Sequence, residues 1–232
     1  MFPFFFDPTM IMVLPALALA FWAQWKVKSA YREYSEIYSS KRTTGAQVAR
    51  AILNANGLSN VAVNPVAGEL SDHYNPADQT VNLSEGIYHK TSIASLAVAA
   101  HECGHAIQHK QGYKAMEWRA KLVPAANIGS WAAFPLFFVG MLIGPGTGVI
   151  FMDLAIGLFG AALLFHLVTL PVEFDASRRA LVILEGGQFL AGREIQGARA
   201  MLRAAAWTYV ASATMALMQL LRLLILRNMA DD

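Results

Sequence analysis

Charge is scarce in this chain. Of its 232 residues only 15% are Asp, Glu, Lys or Arg, while 56% are hydrophobic. A soluble domain ordinarily carries nearer a quarter charged residues, so a simple water-soluble globule fits poorly. Cysteine is scarcer still. Cys103 stands alone, which excludes an intrachain disulfide framework. The chain also lacks a basic excess, since a net charge of +2 is too small for a nucleic-acid-binding surface. Finally, no basic region precedes the first apolar stretch, as a cleaved signal peptide requires; Lys26, Lys28 and Arg32 follow it instead. The stretch is therefore expected to remain as an anchor with its N-terminus outside.

What is present is apolar length. Four stretches approach or exceed the roughly 18 to 20 residues that a helix needs to cross hydrocarbon. They run from Phe4 to Trp25 (within a first segment, 1–25), Leu122 to Ile143, Val149 to Leu170, and Ala204 to about residue 226, uncharged until Arg222. The last carries Thr208, Ser212, Thr214 and Gln219, so part of it is expected to lie against protein. A buried core helix is the bland alternative for any one of them, but four in so short a chain point to a polytopic membrane protein. Lys and Arg concentrate in the two polar segments, 26–121 and 171–203, and the Gly144-Pro145-Gly146-Thr147-Gly148 link has none. That bias places both polar segments on the cytoplasmic side; Arg222 and Arg227 weigh mildly against it.

In the first polar segment, Lys26 to about Ser40 continues the first helix. Thr44 and Gln47 read as a capping box opening a helix that Gly57 closes. Val61 to Val66 reads as extended, and Ser71 to Ser84, broken by Asn75-Pro76-Ala77-Asp78, reads as a small hairpin or edge strand. Ser92 then caps a helix from Ile93 to about Lys110, whose first half is small and apolar.

That helix contains His101-Glu102-Cys103-Gly104-His105, an H-E-x-x-H pattern. At about 100° per residue, His101 and His105 lie only about 40° apart on one face, one turn apart, where two imidazoles can grip one zinc ion. Glu102 sits at the edge of that face, able to touch a zinc-bound water without binding the metal. Cys103 points about 200° away and reads as packing. Gly104 lets a neighbouring element come close, which would offset the roughly 1 kcal/mol that a mid-helix glycine costs. Two unrelated histidines on an exposed helix are the alternative, but the apolar run Ile93 to Ala100 argues that this helix is buried, where paired histidines need partners.

Two histidines and a water leave one place for a further protein ligand. The H-E-x-x-H-x-x-G-x-x-H arrangement is absent: Gln108 follows His105 by three and position 115 is alanine. Glu173 is the first candidate, because it lies where the third span ends on the same side as the zinc helix. Asp175 is its rival, and a solvated carboxylate near a helix start is the plain alternative for either. His166, seven residues before Glu173 and inside the third span, is a candidate by default for a role in stabilising the transition state; bonding to a neighbouring helix is as good an account. His73 and His109 read chiefly as polar surface residues.

Taken together, Asp72-His73-Tyr74-Asn75-Pro76, Val81-Asn82-Leu83-Ser84, Ala99 to Gln108 around the motif, and Leu170-Pro171-Val172-Glu173-Phe174-Asp175-Ala176-Ser177 resemble the bacterial neutral zinc metallopeptidases of the YugP type. More distantly the chain is similar to gluzincin membrane proteases, in which a glutamate on a downstream Glu-x-x-x-Asp helix is the third ligand. The resemblance implies one zinc ion on His101, His105 and Glu173, with Glu102 catalytic. It implies a mainly α polytopic protein of about four spans, with a small α+β zincin-like cytoplasmic portion in a bacterial plasma membrane. One departure stands out: the position four after Glu173 is Ser177, and any orienting role of the missing aspartate passes elsewhere, for instance to Asp175.

The activity so implied is zinc-assisted hydrolysis of peptide bonds. Because His105 is about 17 residues from the second span, the site should lie near the membrane surface, with membrane-associated polypeptides as substrates. The segment Val61 to Ser84 is expected to align a peptide by strand addition, testable by proline at Val81 or Leu83. Two other classes compete. A zinc-binding membrane scaffold without turnover leaves Glu102, a non-ligand, without a purpose. A transporter finds almost no polar residues in the spans apart from His166 and Asp153. Gly129, Gly140, Gly157 and Gly160 could permit close packing within the chain, in a homo-oligomer or with membrane-protein partners.

Overall fold

A computed structural model describes residues 8–230. After a short 3-10 turn at Pro8–Met12, the chain forms α1 (Leu14–Glu36), α2 (Gly45–Ala55), β1 (Ala62–Val66), β2 (His73–Asn75), β3 (Thr80–Ser84), α3 (Glu85–Tyr88), α4 (Ile93–Lys110), α5 (Lys114–Ile143), α6 (Thr147–Gly186) and α7 (Arg193–Met229). Contacts divide the described residues into two compact units, one of residues 24–117 and 171–207, the other of 8–23, 118–170 and 208–230.

Among the described residues three helices, α5, α6 and α7, are long and apolar enough to cross a membrane. They contain the expected second, third and fourth spans. The first expected span is different. Residues 4–7 lie outside the described part, and α1 starts only at Leu14, with Pro15 in its first turn, where a missing N–H costs nothing. From Leu14 to Trp25 its apolar portion covers about 18 Å, short of the hydrocarbon thickness. The expected borders of the polar segments at 121, 171 and 203 are not helix ends. Each helix runs through them, α6 without interruption at Pro171.

In the apolar unit, α5 and α6 meet through glycine. A Cβ on Gly129 would lie 2.2 Å from the Leu158 carbonyl oxygen, and one on Gly140 would lie 2.5 Å from that of Gly148. These two glycines serve packing within the chain, whereas Gly157 and Gly160 face open space. The connection between the helices turns on Gly144 and Gly146, both at φ +83°, a left-handed conformation that side chains disfavour. Phe137, Met152, Ala155, Phe159 and Leu223 form the core here. Arg227, late in α7, pairs with Asp153 of α6 at 2.9 Å.

The polar unit holds the sheet and the H-E-x-x-H helix. Thr44 accepts from the Gln47 N–H at 3.2 Å while the Gln47 side chain accepts from the Thr44 N–H at 3.0 Å, the expected capping box, and Gly57 follows the helix at φ +64°. This sets α2 so that Val48, Ile52 and Leu53 face inward, each contributing about 1.5–3 kcal/mol by burial. They pack with Leu83, Ile87, Leu96, Ala100, Leu184 and Leu202. The strands order as β1-β3-β2, with β3 parallel to β1 and antiparallel to β2. The hairpin is as expected, but Val81 and Leu83 lie in the central strand and are fully buried, not on an edge. Proline there would break the sheet and its core, and so would not test peptide docking.

Candidate metal centre

Helix α4 is the element on which the site is built. Ser92 accepts from the Ser95 N–H at 3.1 Å and fixes its start. Its small apolar residues are enclosed on all sides, so His101, Glu102 and His105 emerge from a buried helix. The His101 and His105 rings stand edge to face, centroids 4.8 Å apart. Cys103 points the other way. Its thiol donates to the Ala49 carbonyl of α2 at 3.6 Å, and burial pushes its pKa far up, so it is packing and not a ligand.

Gly104 decides how near α6 can come. A Cβ there would lie 2.8 Å from the Ala176 carbonyl oxygen and 3.2 Å from its Cα. Without one, α6 lies against α4 and Glu173 reaches the two imidazoles. Glu173 Oε2 is 3.2 Å from His101 Nε2 and 3.5 Å from His105 Nε2, and its side chain is 2% exposed. One ligand atom from each of the three lies within 4.8 Å of the others. Asp175, the rival, is drawn elsewhere. It accepts from Gln108 Nε2 at 2.9 Å and from Arg178 and Arg179.

The electrostatics follow from this closeness. Burial alone would raise the Glu173 pKa, but hydrogen bonds from His101 and His105 outweigh it and hold the carboxyl well below its usual range. Burial opposes a charge on His105, yet the bond to Glu173 and the charges of Glu102 and Glu173 raise its pKa above the ordinary value. For Asp175, likewise, burial is outweighed by Gln108, Arg179 and Arg178, and the pKa falls. Near Glu102, burial pushes Asp72 up against the pull of its bonds from Ser84, with the Glu102 charge adding to the rise.

The donor set, two imidazole nitrogens and one carboxylate oxygen, fits a catalytic zinc site, in which water is the usual fourth ligand. Tetrahedral bonds of about 2.0–2.1 Å put ligand atoms roughly 3.3–3.5 Å apart, close to the two histidine–glutamate distances here. Glu102 is oriented separately. Its Oε2 accepts the Tyr74 backbone N–H of β2 at 2.9 Å.

The remaining nitrogens of the two histidines are also met. His101 Nδ1 lies 3.2 Å from Ser177 Oγ, so the serine four positions after Glu173 itself contacts a histidine. His105 Nδ1 lies 3.0 Å from Gln108 Oε1. Asp175 therefore serves His105 through Gln108, not His101. Gln108 and Tyr74 are the residues that sequence reasoning passed over. A usable signal existed for Gln108, a polar residue three positions after His105 and hence on its face of the helix. None existed for Tyr74, which acts through its backbone.

The three-residue cluster does not include the other candidates. His166 is in the apolar unit, its ring against Phe165 with centroids 5.5 Å apart. His73 braces the hairpin, with Nδ1 2.8 Å from the Ser71 carbonyl and Nε2 3.2 Å from Asn82 Nδ2. His109 is exposed, with Nδ1 2.8 Å from the Tyr74 hydroxyl, a second tie between β2 and α4.

Comparison with known proteins agrees with this class of site. A family model described as "Putative neutral zinc metallopeptidase" matches residues 9–228, and the chain belongs to that family. It is 46% identical over 226 residues to the "Putative membrane protease YugP" of Bacillus subtilis, covering 95% of this chain and 97% of that one. No solved structure matches it.

Proposed function

We propose that the chain is a zinc-dependent membrane endopeptidase that hydrolyses peptide bonds near the cytoplasmic membrane surface. The observation that carries this is the meeting of His101, His105 and Glu173 beside a non-ligand carboxylate, Glu102, held by a backbone N–H. His101, His105 and Glu173 would hold one zinc ion. When bound, zinc supplies Lewis acidity, easing deprotonation of water and polarising a carbonyl. Glu102 accepts the proton of the attacking water as its oxygen bonds to the peptide carbonyl carbon. It returns that proton to the leaving nitrogen as the C–N bond breaks. The Tyr74 N–H occupies Glu102 Oε2 and leaves Oε1 for this exchange.

The α5, α6 and α7 helices and the Lys and Arg bias of the polar segments support a multi-pass protein with its site on the cytoplasmic side. Membrane-associated polypeptides are then the natural substrates. The test is zinc content and cleavage of an unfolded protein by detergent-purified wild type, Glu102→Gln and Glu173→Gln. Glu102→Gln should keep zinc and lose about 10²–10⁴-fold in rate, and Glu173→Gln should lose both. Zinc without cleavage of any substrate would favour a scaffold. A folded wild type that takes up no zinc would overturn the assignment.

A further inference from the structure

Gln108 is fully buried, and its amide has three contacts on two helices. Its Nε2 lies 2.8 Å from the Val172 carbonyl oxygen and 2.9 Å from Asp175 Oδ2. A carbonyl oxygen and an ionised carboxylate only accept hydrogen bonds, so the NH₂ end of Gln108 must face them. Turning the amide over would set its oxygen against two acceptors in a buried place. Asp175 is itself held by Arg178 and Arg179, and Arg179 is anchored by Gln111 Oε1 at 2.7 Å, so the acceptor cannot swing away. The amide oxygen of Gln108 is thereby forced toward His105 Nδ1, 3.0 Å away. An oxygen there needs a hydrogen opposite it, so Nδ1 carries a proton, which leaves Nε2 as the nitrogen that would serve zinc.

His101 has no such constraint. Its Nδ1 partner is the Ser177 hydroxyl, which both donates and accepts and can suit either tautomer. The two histidines of the motif are therefore supported unequally.

We infer that Gln108 is the positioning residue of the metal centre: it fixes the tautomer and ring orientation of His105 and, by gripping Val172 and Asp175 on either side of Glu173, docks the third ligand's helix. This rests on the zinc reading of the site. Outer partners of metal-bound histidines typically change affinity by about 10–100-fold, and one that also holds the neighbouring ligand helix belongs at the upper end of that range.

The test is zinc affinity by competition with a chelator, on full-length protein in detergent at fixed pH. Gln108→Met keeps the volume and removes every hydrogen bond. Gln108→Glu keeps the acceptor for His105 but sets an oxygen against Asp175 and Val172. Each should bind zinc about 10–100-fold more weakly than wild type. Adding Asp175→Asn to Gln108→Glu supplies an N–H₂ donor to the new carboxylate and should recover roughly tenfold, while adding it to Gln108→Met should recover nothing. Space-filling alone predicts no such rescue, and a fold lost on substitution would not be regained by it. In zinc-loaded protein labelled with ¹⁵N-histidine, the His105 Nδ1 proton should be protected from exchange in wild type and lost in Gln108→Met. Wild-type affinity in Gln108→Met, equal behaviour of the two double variants, or a protected proton in Gln108→Met would each overturn the inference. Wild type without zinc would overturn the site assignment, and this inference with it, before any variant is compared.

Discussion

Helices α4 and α5 are both built from small and apolar residues, yet they occupy opposite settings. In α4, 14 of 18 residues are buried, including Leu96 at 0% exposure and the polar Glu102, His105 and Gln108. In α5 only 5 of 30 are buried, and Ile128, Trp131 and Leu142 are 55%, 82% and 70% exposed. The difference teaches that an apolar run marks a need for apolar surroundings and does not say who provides them. Around α4 the provider is protein, which also supplies partners for each polar group. Around α5 it is whatever lies outside this chain, and the helix's length fits a bilayer.

The sharpest way to break this contrast is to remove equivalent methyl groups. Leu96→Ala in α4 should cost about 2–5 kcal/mol, read as a lower unfolding midpoint in detergent. Smaller, at about 1–3 kcal/mol, is the cost of an added methyl at Gly104→Ala, where α6 must retreat from a Cβ; it should also weaken zinc binding, because Glu173 moves with Ala176. Tyr74→Pro tests the strand laid along α4. The Tyr74 N–H points away from β3 to Glu102, so proline can occupy that edge while removing the bond. Zinc should stay and turnover fall about tenfold or more, the scale of one lost charge-assisted bond of about 1.5–3 kcal/mol; Tyr74→Phe separates this from the loss of the hydroxyl to His109. Ser177→Ala should weaken zinc by less than Gln108→Met, only a few-fold, since water can replace a hydroxyl on His101, which is 13% exposed. Least of all, Ile128→Ala on the open face of α5 should shift stability by no more than about 0.5 kcal/mol. A large loss there would mean that α5 is covered by a protein partner.

Much of the site was legible because helical geometry is local. The i, i+4 spacing of His101 and His105, the place of Glu102 beside them, the turn of Cys103 away from the ligand face and the need for a small residue at 104 all follow from one helix. The capping box at Thr44 and Gln47 and the apolar cores of α5, α6 and α7 were legible for the same reason. The start of the first helix was not, since composition over 4–25 does not reveal that α1 begins at Leu14, with Pro15 in its first turn. Nor was the sheet order, because hydrophobic alternation in Thr80–Ser84 identifies a strand without saying that it is flanked on both sides.

Local sequence thus determined a pair of histidines placed to share one metal ion on a buried helix and three helices of membrane length, because each depends on residues within a few turns of one another. Tertiary structure decided the rest. Glu173 and not Asp175 meets His101 across 72 positions of chain, Ser177 stands behind one histidine, and Gln108 bridges the other to Asp175. Those choices depend on how closely α6 packs on α4 and on its rotation there, which contacts among several elements settle together and which no local pattern encodes.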